Sequence, residues 1–403
     1  MKRKGVLLIL QKTSKGKNLK PRKFIKCLVY VYSSKNLMFS KKIISFVFCL
    51  FALLTTVVGC TQADNSASTS QVMEKYELAL ITDLGPIDDQ SFNQASWEGL
   101  RRYAEENDIA HKSYQTADKS TDAYLASIDL AIENGGKLVI CPGNFFEPAI
   151  FIAQDQYPDI SFILIDGQPR NPEDNVAEIG QNVLSLLYQE EQAGFLAGYG
   201  AVKDGHTKLG FIGGMAVPPV IRYGYGFVQG ADFAAQELGI TADINYTYSD
   251  SFLAQPEIQT RANDWYQSGT SVIFSCGGQI LDSIIAAAEE NDDRKIIGVD
   301  VDQSRYSQAV MTSAIKMLTP SVYNAIDDYY SNSFQGGSAK IFSAENNGIG
   351  LAMENSQFTS FSQADYDAIY GQLASGQIAI ANQIDDSTTA DLVLKATVVN
   401  YLN

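Results

Sequence analysis

The chain reads as an α/β protein of two similar doubly wound parallel-sheet lobes with a ligand cleft between them. Three observations lead there. Short apolar runs alternate with amphipathic helical stretches along most of the 403 residues, the pattern of a parallel sheet covered on both faces. The order of these runs repeats once at a nearly constant offset. Polar residues that neither strand nor helix needs fall where strands end and helices begin, which in open α/β sheets is where ligands bind.

Residues 1–60 are an address. They hold 13 of the 30 Lys and Arg and no acidic residue. Lys41 and Lys42 precede an apolar run over 43–54, short for a lasting membrane span, that ends in VVGC. This resembles a bacterial lipoprotein signal with Cys60 as the lipidated residue. Met38 would start a complete signal by itself, so 1–37 reads as an upstream extension. The small, polar residues 61–75 read as a flexible tether. From Thr61 onward 17 basic residues face all 46 acidic ones, a formal balance of −29. Such a surface repels phosphate backbones and excludes nucleic acid as a partner. Cys27 and Cys49 belong to the leader, while Cys141 and Cys276 end apolar strands and read as buried thiols.

The first repeat opens with YELALIT over 76–82, a short apolar run with the composition of a buried strand. Asp83, Leu84, Gly85 and Pro86 stop it, and a helix is expected from about 92 to 107 with Ser91 as its N-cap. Helices are expected across 121–134 and 147–156, and strands over 137–141 and 160–165. The second repeat answers in register. Ile81 and Ile212, like Gly99 and Gly230, lie 131 residues apart; Cys141 and Cys276 lie 135 apart, Asp166 and Asp300 134. Between the repeats, LSLLYQEEQAGFLAGYGA over 184–201 reads as a helix that opens the second lobe. Lobe 1 is expected to comprise 76–180 plus 304–338, and lobe 2 181–303 plus 339–403, with crossings near Gly180, within 303–316 and near Ala339. The tyrosine-rich tract 323–330 reads as one face of an amphipathic helix.

His111 and His206 are the only histidines, and neither has the neighbours of a metal site or a catalytic triad. Phosphate-binding loops and nucleophile elbows are absent from the sequence. No catalysis, cofactor or metal is expected. The strand ends instead offer Asp83, Asn93, Asn144, Asp166, Asp300, Asp302 and Gln303. Phe92, Phe145 and Phe252 accompany them, with Gly277 at the end of the second lobe's GTSVIFSCGG strand and Lys316 as a lone base. Asp and Asn accept hydrogen bonds from hydroxyls and ring N–H groups, while phenyl faces stack on flat rings. The mixture suits a ligand with a sugar-like end and an aromatic end.

The segments TDLGPIDDQSFNQASWEG, EQAGFLAGY, KLGFIGG, IIGVDVDQ followed by MTSAIK, and GIGL together resemble the basic membrane protein family of lipoproteins, the substrate-binding components of nucleoside ABC importers. The resemblance runs from residue 76 to about 373. It implies a type I periplasmic-binding fold and a nucleoside, most of all a purine nucleoside, held between the lobes. It further implies a lipid-anchored monomer on the outer face of the bacterial cytoplasmic membrane, palmitoylated at Cys60, serving ABC permease and ATPase subunits. Carried over residue by residue, Phe92 and Phe252 would sandwich the base. Asp83, Asn93 and Asp166 would hydrogen-bond around the first lobe's side of the ligand, and Asp300 with Lys316 would hold the ribose hydroxyls. Phe252 stands in YSDSFLAQP, where the family commonly has Phe directly before Asp, and CPGNFF departs from the family's glycine-rich loop. The alternatives are a sugar or signal-molecule binding protein that feeds a membrane sensor, and a nucleoside-processing enzyme.

Overall fold

The computed structural model describes residues 75–83, 85–382 and 388–402; the expected leader, the lipidation site Cys60 and all but the last residue of the expected tether lie outside them. The first lobe begins with β1 (Leu78–Thr82), buried at every position as a central strand must be. It continues through α1 (Phe92–Glu106), β2 (His111–Gln115), α2 (Thr121–Glu133), β3 (Leu138–Pro142), α3 (Glu147–Gln156), β4 (Ser161–Ile165) and β5 (Val183–Tyr188). The second lobe takes α4 (Glu190–Lys203), β6 (Lys208–Gly213), α5 (Pro218–Leu238), β7 (Ala242–Tyr248), α6 (Pro256–Gln267), β8 (Val272–Cys276), α7 (Ile280–Glu289), β9 (Lys295–Asp300) and β10 (Val310–Lys316). The chain then returns for α8 (Leu318–Tyr330) and β11 (Ser338–Phe342), and crosses again for β12 (Ile349–Leu351), α9 (Gln363–Ala374) and β13 (Thr397–Tyr401).

Two sheets result, ordered β11-β5-β4-β3-β1-β2 and β12-β10-β9-β8-β6-β7-β13. Their inner strands follow one scheme, β4-β3-β1-β2 and β9-β8-β6-β7, so the repeat seen in the sequence is a repeat of topology. All pairs are parallel except β10 with β12. Parallel strands place all their carboxyl ends on one edge, and the loops that follow them gather there. Cys141 and Cys276 are buried free thiols, as expected.

The sheets place the chain crossings later than the expected boundaries. β5 and β11 pair with each other in the first sheet and β10 lies in the second, so the crossings follow Tyr188, Lys316 and Phe342. Residues 181–188 and 339–342 therefore belong with the first lobe and 310–316 with the second. The expected helix over 184–201 is strand as far as Tyr188 and helix only from Glu190. The reason is physical: Val183–Tyr188 is buried on both faces between β4 and β11, and a continuous apolar run carries no period to separate strand from helix. Helices α4 and α5 then pack closely enough that a Cβ on Gly226 would lie 1.9 Å from Glu191 O, so only glycine fits.

Candidate functional site

Each strand end presents its polar group for a local reason. After β1, the Asp83 carboxylate accepts the Gly85 amide at 2.8 Å. Asp89 caps α1, accepting the amides of Ser91, Asn93 and Gln94 at 2.9, 3.0 and 3.0 Å. Burial pushes its carboxyl up to about 7 although those three amides pull it down. Ser91 is thus not the side-chain cap expected of it. Its hydroxyl is free to cross the cleft, where it donates to Asp300 Oδ2 at 2.6 Å.

Asp166 directly follows β4 and Asp300 is the last residue of β9. Both take the left-handed backbone region, φ 61° and 68°, which Asp tolerates better than most residues. Both are 6% exposed. Lys316, the last residue of β10, reaches between them: its Nζ lies 2.5 Å from Asp166 Oδ2, 3.0 Å from Glu190 Oε1 and 4.0 Å from Asp300 Oδ1. Burial opposes the charge on Lys316, but Asp166, Glu190 and Asp300 outweigh it and hold the ammonium above its ordinary range. Burial likewise raises Asp300, with Lys316 and the Ser91 hydroxyl pulling the other way. Glu190 is driven below its usual range against its burial, by Arg222 at 2.6 Å and by Lys316. Three buried carboxylates therefore share one lysine and one arginine.

Between the two lobes lies a pocket of about 720 Å³, a figure that includes open solvent at its mouth. Asp83, Phe92, Asn93, Asn144 and Asp166 line it from the first lobe, and Phe252, Gly277, Asp300 and Lys316 from the second. The structure thus brings together ten of the twelve positions singled out in the sequence, Phe145 among them. Asp302 and Gln303 stand apart. Asp302 accepts the Ser304 amide and the Asn355 side chain, and Gln303 is buried, binding the Val299 amide and donating to Gln90 O at 3.0 Å.

Sequence reasoning missed Tyr223, Glu190 and Arg222. Tyr223 lines the cavity on α5, its ring centroid 5.4 Å from Lys316 Nζ, much as the Phe92 ring lies 5.2 Å away. The signal was present, since the offset of 131 that relates Gly99 to Gly230 also relates Phe92 to Tyr223. Glu190 had no such signal, because a Glu in a first helical turn reads as a partner for the helix dipole. Two acceptor oxygens at the cavity, Asn93 Oδ1 and Asp166 Oδ1, are buried and have no hydrogen-bond partner among the described residues. Buried acceptors left so are costly, and a donor arriving with a ligand relieves that cost.

Residues 76–383 match the family model described as Bmp, ABC transporter substrate-binding protein PnrA-like. The chain belongs to this family. Bmp proteins are solute-binding components of ABC transporters and not enzymes. The nucleoside-binding ABC transporter protein BmpA of Lactococcus lactis is 28% identical over 335 residues, covering 78% of this chain and 92% of that protein. Basic membrane protein B of Borreliella burgdorferi is 29% identical over 316 residues, 77% of this chain and 89% of its own. The solute-binding protein of an ABC transporter system from Aeropyrum pernix superposes with TM-score 0.67 at 22% identity, covering 77% of this chain and 94% of that one. A second, from Conexibacter woesei, gives 0.60 at 21%, covering 76% and 99%. These two bear out the expected fold.

Proposed function

We propose that this Bmp protein captures a nucleoside, a purine nucleoside before others, and delivers it to an ABC permease from a lipid anchor at Cys60 on the outer face of the cytoplasmic membrane. The observation that carries the reading is the pairing, in one cavity, of aromatic rings with unpartnered buried acceptors. Phe92 and Phe252 line it from opposite lobes, a disposition suited to stacking a flat base. Asn93 Oδ1 and Asp166 Oδ1 await donors, which ring N–H groups and ribose hydroxyls supply. Asp83, Asn144 and Gly277 complete the wall, and Lys316 with Asp300 meets the sugar. The nucleoside-binding name of the Lactococcus lactis relative supports the same ligand class.

Capture follows from geometry. A ligand that touches both lobes favours the shut arrangement, because only differential affinity shifts an equilibrium between open and shut forms. Polar ties already span the lobes here, from Lys316 to Asp166 and from Ser91 to Asp300. The hinge would be the three chain crossings. Calorimetric titration with inosine, adenosine, guanosine, cytidine and ribose tests the reading. Purine nucleosides are expected to bind, and ribose far more weakly; ribose binding as tightly as any nucleoside would remove the stacking argument and favour a sugar receptor.

A further inference from the structure

The KLGFIGG segment ends in a pair of glycines that ligand capture, as described, does not use. Gly213 closes β6 and Gly214 comes directly after it. In the first lobe the corresponding place, 131 residues earlier and directly after β1, holds Asp83, whose side chain lines the cavity. At Gly214 that space belongs to the ring of Phe252. A Cβ on Gly214 would lie 2.3 Å from Phe252 Cδ1 and 2.4 Å from Cε1, far inside van der Waals contact. The nearest backbone atom, Ser251 O, would be at 3.0 Å, so the ring is struck first. Gly277 supports the same ring edge, where a Cβ would lie 2.9 and 3.0 Å from the same two atoms.

The floor under the ring is fixed. The Gly214 amide donates to Cys276 O at 2.9 Å, and its carbonyl accepts the Ser249 and Asp250 amides at 3.1 Å each. Phe252 is fixed by its own carbonyl, which accepts the Gln279 amide at 2.8 Å. A ring pushed off Gly214 therefore moves toward the cavity it lines. We propose that Gly214 is a positioning residue for the ligand: by having no side chain it seats Phe252 against the second lobe and sets the width of the slot in which a flat ring stacks. The proposal rests on the nucleoside reading. Gly277 takes φ 149°, where any side chain strains the backbone, whereas Gly214 is not among the residues of positive φ. Alanine at 214 thus tests the seat without the backbone strain a side chain at 277 would add.

The test is a cycle of four proteins, wild type, Gly214→Ala, Phe252→Ala and the double variant, titrated with inosine by calorimetry and unfolded thermally without ligand. Gly214→Ala is expected to weaken inosine by about tenfold or more, within what stacking one base contributes. In the Phe252→Ala background the same change is expected to alter affinity by less than about twofold, since interacting sites are non-additive. The hypochromic change of the base on binding is expected to shrink in Gly214→Ala. Should Gly214→Ala also lower the unfolding midpoint, the double variant is expected to regain the midpoint of Phe252→Ala, because the struck ring is gone. Equal inosine affinity in wild type and Gly214→Ala overturns the seat while the nucleoside reading stands, and so does an equal loss in both backgrounds. A wild-type protein that takes up no nucleoside overturns the nucleoside reading itself.

Discussion

The two lobes carry one device with opposite wiring. Asp166 and Asp300 stand at the ends of equivalent strands, with equal exposure and the same backbone twist. Yet the carboxylate of the first lobe is held by Lys316 from the second sheet, while that of the second is held by Ser91 from the first lobe. Phe92 and Tyr223 likewise stand 131 residues apart, in the register of the repeat, and face the same ammonium. After β1 stands a polar side chain, Asp83, and after β6 a glycine with a ring laid over it. Duplication accounts for the scaffold. What makes a receptor of it is divergence at a few strand ends, which turns two like edges into complementary walls.

The largest test of that wiring removes the shared cation. Lys316→Met leaves Asp166, Glu190 and Asp300 buried with Arg222 as the remaining counter-charge near them. Loss of one member of a buried ion pair costs about 3–5 kcal/mol, which chemical unfolding would register, and ligand affinity is expected to vanish with it. Full stability in Lys316→Met would show that the two aspartates are held by something other than the cross-lobe lysine.

A second test uses a difference at the helix starts. Helix α1 is capped by the Asp89 carboxylate, whereas α5 opens on two prolines with no side-chain cap, Pro lacking one of the amides a cap must satisfy. Only the first lobe's helix start is therefore titratable. With its folded value raised to about 7 from an ordinary value near 3.8, Asp89 binds its proton more tightly folded than unfolded. Its contribution is fully present below about pH 4 and is lost as pH rises through 7. The unfolding midpoint of wild type relative to Asp89→Asn is thus expected to fall as pH rises across that window. A difference that stays flat would remove the titration from Asp89.

A third test sets the equivalent aromatics against each other. Phe92→Ala is expected to weaken nucleoside by about ten- to a hundredfold, the range for losing one stacked base, with the fold intact. Calorimetry showing no loss would leave Phe92 a packing residue and shift the stacking face to Tyr223.

How much of this was legible in the sequence follows from what leaves a local signal. The repeat was legible because strand cores and the Gly99 and Gly230 contacts constrain residues at fixed spacing, and the ten cavity positions because parallel strands bring their ends together. The crossings were not, since β5 is buried on both faces and its residues show no alternation. The polar edge strand β2, HKSYQ, left no apolar signature either. Ser91 has the composition of a cap, and only the fold reveals that Asp89 occupies the amides and frees it. Glu190 meets both Arg222 and Lys316 through three elements far apart in sequence, a relation that neither periodicity nor motif records.

The smallest effects bear most directly on which lobe holds Asp300. Its Oδ2 accepts Ser91 from across the cleft at 2.6 Å, and its Oδ1 faces the Tyr223 hydroxyl of its own lobe at 3.4 Å. A hydrogen bond to a charged group contributes about 1.5–3 kcal/mol when short, and one stretched toward 3.5 Å contributes little. Ser91→Ala is therefore expected to cost about 1.5 kcal/mol of ligand-free stability, and Tyr223→Phe about 0.5 kcal/mol or less, with inosine affinity changed by less than about threefold. Should Tyr223→Phe prove the costlier of the two in unfolding measurements, Asp300 would be anchored within its own lobe. The exchange of partners between lobes would then reduce to the single tie from Lys316 to Asp166.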